Sequence, residues 1–184
     1  TINMRVGERP VFSFRFTGIY ATPTATANPS VTLTAWKTPM VVVDANTQDT
    51  VFGGTHNATA APAITGGTTY PSQGLEVDLG NAINFTPLLG GETVDITQRA
   101  VAGSLKLDLT AAQEVTFYGT VLGATLQAVS LVHGTTAGYK MLVFAPVVQL
   151  INPKKVEKQG RRLIGYDMRI LPSSGNDELK IVAL

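Results

Sequence analysis

Gly103-Ser104-Leu105-Lys106-Leu107-Asp108-Leu109 runs directly into Thr110-Ala111-Ala112-Gln113-Glu114-Val115-Thr116-Phe117-Tyr118-Gly119-Thr120-Val121-Leu122-Gly123, and this stretch decides the fold. In its first half Leu105, Leu107 and Leu109 alternate with Ser104, Lys106 and Asp108, the period of a strand with one buried face. At Thr110 the period changes. Thr110 is a good N-cap, Gln113 stands at the capping-box position, and Glu114 places a carboxylate in the first turn. Ala111, Val115, Tyr118 and Leu122 fall on one stripe at helical spacing, which predicts that this stripe packs on the core. Gly123 stops the helix.

Downstream the sequence reads as hairpins. Leu126–Val132 and Tyr139–Val143 flank the glycine-bounded loop His133-Gly134-Thr135-Thr136-Ala137-Gly138. The second strand continues to Ile151 through Pro146, which predicts an edge or a bulge there. Asn152–Gly160 reads as a polar tip, and Arg161–Leu171 returns from it with Ile164, Tyr166, Met168 and Ile170 on one face. Pro172–Asp177 turns into a last strand, Glu178–Leu184.

Upstream, Val11–Thr17 alternates with Phe12, Phe14 and Phe16 on one face, which predicts a core strand. Burial would make each ring worth about 1.5–3 kcal/mol. A platform for stacked bases is the other reading, and Arg15 is the only basic residue within it. Ala21–Pro29 lacks periodicity and reads as a loop, Val31–Trp36 and Met40–Val43 as short strands, and Asp44-Ala45-Asn46 as a turn. Gly53–Gly67, rich in Ala, Thr and Gly, reads as a long loop that is mobile or ordered only at an interface. Leu75, Val77 and Leu79 alternate inward; Gly80-Asn81 turns, Ala82–Phe85 returns, and Val94–Thr97 continues the pattern.

The fold class that follows is mainly β with one α-helix. At 184 residues the chain suits one domain over 1–184, with a weak boundary within 53–67 as the candidate division. Charged residues make up 15%, below the usual quarter or so, and the net charge is +1. Neither nucleic-acid nor membrane-surface binding is signalled as a whole-molecule property. A surface so sparsely charged offers little resistance to copies packing side by side. The chain has no cysteine, which rules out disulfides and thiolate metal sites and fits a reducing compartment. No apolar run reaches the length of a membrane span, and the N-terminus lacks the layout of a signal peptide.

Catalytic chemistry is not signalled either. His56 and His133 are the two histidines, and neither has a second ligand at metal spacing; His133, at a hairpin start, is expected to hydrogen-bond the turn. Gly66-Gly67 and Gly90-Gly91 open no phosphate loop. Asp95 with Arg99, and Asp167 with Arg169, are candidate ion pairs. The charge cluster to weigh is Lys154, Lys155, Lys158, Arg161 and Arg162 around Glu157. It reads as a solvated loop, as a docking surface for an acidic patch on a neighbouring subunit, or as a nucleic-acid contact, against which stands the lack of interleaved aromatics.

Several stretches together resemble the tail tube proteins of long-tailed (siphovirus-type) bacteriophages. They are Val6–Pro10 leading into Phe14–Gly18, Val41–Thr47, Leu79-Gly80-Asn81, Leu89–Glu92 with Asp95–Arg99, Gly103-Ser104-Leu105, His133–Gly138, Ala145–Leu150 and Gly175–Leu179. The resemblance spans most of the chain through the order and spacing of these pieces. It implies a β-sandwich or barrel-like module flanked by one helix, with no cofactor and no enzymatic activity. Copies would join edge strands into hexameric rings around a continuous inner barrel, and rings would stack into a tube. DNA and the tape measure protein would pass transiently through a lumen that in such tubes tends to be negatively charged. Other tail proteins would meet the tube ends. The place implied is the virion tail, assembled in the bacterial host cytoplasm, with no membrane partner. Some relatives carry an additional N-terminal region, so the chain is also expected to be readable as part of a longer product. The Gly53–Gly67 loop and the Asn152–Gly160 tip are the expected stacking contacts.

Three other readings stay open. A tail terminator or distal baseplate ring on the same scaffold would form a single ring. A virion-surface module for host carbohydrate would want exposed aromatics beside acids, whereas Trp36 is the lone tryptophan and the loops are Ala/Thr/Gly-rich. An enzyme would have to work through a residue such as His133.

Overall fold

The alternation around Leu105 and Leu107 produces a strand whose apolar side chains are fully buried, and its neighbours on both sides repeat the pattern. The computed structural model describes residues 1–34, 37–57 and 64–184. In chain order the strands are β1 (Ile2–Arg5), β2 (Val11–Phe12), β3 (Thr50–Phe52), β4 (Thr55–His56), β5 (Ile64–Thr65), β6 (Thr68–Tyr70), β7 (Ser72–Asp78), β8 (Asn81–Leu88), β9 (Gly91–Arg99) and β10 (Ala102–Leu107). Helix α1 (Ala111–Leu122) follows, then β11 (Leu126–His133), β12 (Met141–Lys158), β13 (Arg161–Leu171) and β14 (Lys180–Ala183).

Ten of these strands form one antiparallel sheet in the order β2-β1-β7-β10-β13-β12-β11-β3-β6, with β14 also pairing β12. Pro146 marks a bulge, as its residue type predicts: the β11–β12 register slips between Gln127 and Val129, opposite it. At the same point β12 changes partner, from β14 along Met141–Phe144 to β13 from Val147 onward.

The sheet curls around its core. Phe117 of α1 touches Tyr70 of β6 at 5.0 Å and Tyr166 of β13 at 5.7 Å between ring centroids. Four strand spacings separate β6 from β13, which in a flat sheet would be roughly 19 Å. Only a strongly coiled sheet brings both to one ring. Inside it Leu75, Val77, Leu105, Leu107, Ile164, Tyr166, Met168 and Ile170 form one cluster with Val148, Leu150 and Phe117. Outside, Glu76, Ser104, Lys106, Asp167 and Arg169 face away, because side chains alternate along each strand.

Helix α1 has the predicted capping box: Gln113 N donates to Thr110 Oγ1, and Thr110 N donates to Gln113 Oε1 at 2.9 Å. Its buried face differs from the expected stripe. Phe117 is buried, with Tyr118 and Val121 packed beside it, while Val115 is 73% and Leu122 87% exposed. The aromatic cluster supplied by β3, β6 and β13 turns the helix toward Phe117.

Other expectations are corrected. The phenylalanine strand ends at Phe12; Phe14 and Phe16 are 73% and 88% exposed and stack in line with Phe12, centroids 6.1–6.4 Å apart, because no strand among the described residues covers them. Val31–Leu33 is exposed and irregular, and the Trp36 end of that expected strand lies outside the described residues. Met40–Val43 is no strand either, although Val42 is buried and exchanges backbone bonds with Gly7 and Glu8. Gly53–Gly67 holds the short β4–β5 pair, so its ends are ordered, while 58–63 lie outside the described residues.

Candidate functional site

The expected polar tip is a strand for most of its length. β12 and β13 remain paired out to Lys158 opposite Arg161, and the turn is only Gln159-Gly160. Val156 opposite Leu163 gives this end an apolar pair, enough to extend the ladder past a bulge between Ile151 and Lys154. Lys154 and Lys158 therefore share a face with Arg161, and Lys155 shares the other with Arg162.

The five basic residues are brought together, but most have partners. Lys155 Nζ lies 3.5 Å from Glu114 of α1, Lys154 Nζ 3.9 Å from Asp167, and Arg161 pairs with Asp108. Lys158 and Arg162 have no ion pair among the described residues. Asp167 also accepts from Asn152 Nδ2 at 3.0 Å, so the expected pairing with Arg169 does not form.

The second element of the site is the β8–β9 ribbon. Ala82–Phe85 does not return onto β7; β8 pairs only with β9 among the described residues, as a two-stranded sheet of its own. It leaves the main sheet between Gly80 and Ala100, at the Asp78 end of β7 and the Ala102 end of β10. The register puts Ile83 opposite Ile96 and Phe85 opposite Val94 on one face. Asn84 opposite Asp95 and Thr86 opposite Thr93 occupy the other. The ribbon is amphipathic, yet half of its apolar face is open among the described residues: Ile83 and Val94 are partly buried, whereas Phe85 and Ile96 are exposed, and at the tip Leu88 is 60% and Leu89 fully exposed. Its base is fixed by Arg99, which reaches Glu178 at 2.6 Å and Asn176 Oδ1 at 2.8 Å instead of Asp95. The hydrogen bond from Arg99 is the main reason the Glu178 carboxyl sits below its ordinary range.

At the opposite end of β10, Val6, Pro71 and Leu163 line a groove of about 410 Å³ rimmed by Lys158 and Arg161. Ala82–Phe85 and Val94–Thr97 are strands as expected, but their separation from the sheet as a ribbon, and this groove, are not expected from the sequence. The signal for the ribbon was present in Ile83/Phe85 and Val94/Ile96 flanking Gly90-Gly91; the groove joins residues distant in sequence and had none.

His133 is buried with Nδ1 2.8 Å from Thr47 Oγ1, so it ties the 44–47 segment to the sheet, not the hairpin turn beside it. Burial lowers its pKa, opposed in part by a hydrogen bond that the ring donates to the Met40 backbone carbonyl. The buried Tyr166 hydroxyl has no hydrogen-bond partner among the described residues, and desolvation raises its pKa strongly, helped by Tyr118 and Glu114. Among the described residues no three His, Cys, Asp or Glu cluster as a metal site would require. No helix among them is long and apolar enough to cross a membrane.

The model of the phage tail tube protein family matches residues 1–169. The chain belongs to that family. It is a structural protein of the bacteriophage tail, folded as a mainly-β sheet with one helix. No curated protein matches the chain. The expected resemblance is thereby met at the level of the family.

Proposed function

We propose that this tail tube protein closes into hexameric rings by pairing sheet edges between copies, that rings stack into a tube, and that DNA and the tape measure protein pass through its lumen. The observation that carries this reading is the β8–β9 ribbon, whose edges are unpaired among the described residues and whose apolar face is partly exposed through Phe85 and Ile96. A lone two-stranded ribbon is marginal in water, and open edges invite uncontrolled pairing unless a closed assembly uses them. A charged fraction of only 15% lowers the barrier to such packing.

Lys154, Lys155, Lys158, Arg161 and Arg162, with the Gly53–Gly67 segment, are the proposed contacts between stacked rings. The sheet's outward face mixes Glu76 and Asp167 with Lys106 and Arg169, so it does not carry the uniform negative charge expected of a lumen wall; the ribbon's Asn84, Thr86, Thr93 and Asp95 face suits that place better. Other tail proteins would cap the ends, with assembly in the host cytoplasm. Sedimentation velocity over a wide concentration range tests the reading. Growth into long, polydisperse particles supports it. A single ring that grows no further makes the protein a terminator or distal ring, and a monomer at every concentration overturns assembly altogether.

A further inference from the structure

The ribbon tip and the Val6–Pro71 groove complement each other in both polarity and charge. The tip presents Leu88 and Leu89 to solvent with Glu92 just beyond the turn, and Glu92 has no ion pair among the described residues. The groove offers Val6 and Pro71 over the buried Leu163, and its rim carries the unpaired Lys158 beside the Arg161–Asp108 ion pair. The two lie at opposite ends of β10: its Ala102 end pairs Asp78 beside the ribbon, and its Leu107 end pairs Ser72 and Ile164 beside the groove. About 17 Å of strand separates those ends.

We propose that the tip of one copy, Leu88–Glu92, seats in the groove of a second copy, Leu88 and Leu89 against Val6, Pro71 and Leu163, and Glu92 against Lys158. The occupant is a second copy because the acid and the base that match are both left unpaired on every copy, at opposite ends. Such a contact is heterologous: each copy that is added leaves one free tip and one free groove, so the contact propagates head to tail. It rests on the tail tube reading for the stacked arrangement in which it would operate.

The chain has no cysteine, so a designed pair reports the contact cleanly. Leu89→Cys and Pro71→Cys preparations, mixed under mild oxidation, are expected to give a mixed disulfide well above the level either preparation gives alone. In parallel, Glu92→Lys and Lys158→Glu are each expected to raise the concentration needed for assembly at least tenfold, and the double variant to restore it. Circular dichroism identical to the parent confirms that each variant is folded. Tubes from the parent protein with no mixed disulfide overturn this contact and leave the tail tube reading standing. A mixed disulfide without tubes upholds the contact and overturns the tube. A double variant that assembles no better than the singles overturns the Glu92–Lys158 pairing.

Discussion

Gly80 approaches Ala100 so closely that a Cβ on Gly80 would stand 2.3 Å from the Ala100 carbonyl oxygen. Gly80 also has φ +58°, in the left-handed region where side chains are strained. These two residues form the bend at which the β8–β9 ribbon departs from the sheet.

Because the obstructing atom is backbone, Gly80→Val has no flexible neighbour to displace. It is expected to lower stability by about 1–3 kcal/mol and to redirect the ribbon. Thermal unfolding checks the first effect, and tube formation at a temperature where the variant is folded checks the second. An unchanged melting temperature with normal assembly would remove the bend from the account.

Phe117→Ala opens a void among Phe52, Tyr70 and Tyr166 and is expected to cost about 3–5 kcal/mol. Val115→Ala, on the exposed face of the same helix, should change stability by no more than about 0.5 kcal/mol. Denaturant unfolding of the pair reads which face of α1 meets the core. Reversed magnitudes would restore the stripe of Ala111, Val115, Tyr118 and Leu122.

Phe14→Ser and Phe16→Ser should leave the melting temperature of the monomer nearly unchanged, since both rings stand in solvent. The same substitutions are expected to weaken assembly, because two exposed rings stacked in line with Phe12 are apolar surface awaiting a neighbour. A large loss of monomer stability would mean that the ladder is buried within one chain.

His133 sets an acid limit. Its folded pKa lies below the ordinary 6.5, so the unfolded chain binds the proton more readily, and stability falls as pH drops below about 6.5. Above that value both states are neutral at this residue and its effect vanishes. His133→Gln should flatten the decline in stability between pH 7 and pH 5, measured by urea unfolding. An equal slope in both proteins would assign the decline to other groups.

Much of the sheet was legible in the residues. Ile164, Tyr166, Met168 and Ile170 share a buried face as their spacing says, and Thr110 and Gln113 cap α1 as their types require. The errors have one physical origin. Alternation shows that Phe12, Phe14 and Phe16 share a face, but not that any strand covers Phe14 and Phe16. Helical spacing admits a stripe through Val115 as readily as one through Phe117, and distant partners on β6 and β13 decide between them. Lys154–Lys158 looked like a loop because its residues are polar, yet pairing with β13 needs only backbone and the Val156–Leu163 contact. The basic cluster of the candidate site was visible as composition; its partners Asp108, Glu114 and Asp167, and the groove beside it, depend on the fold.

The central claim is that each copy carries surface which only other copies complete. Negative-stain electron microscopy of the purified protein at high concentration tests it most directly. Uniform tubes with a stain-filled central channel, built of stacked rings, are expected. Fields of separate monomers at the highest concentration reached, with no rings and no tubes, would contradict it.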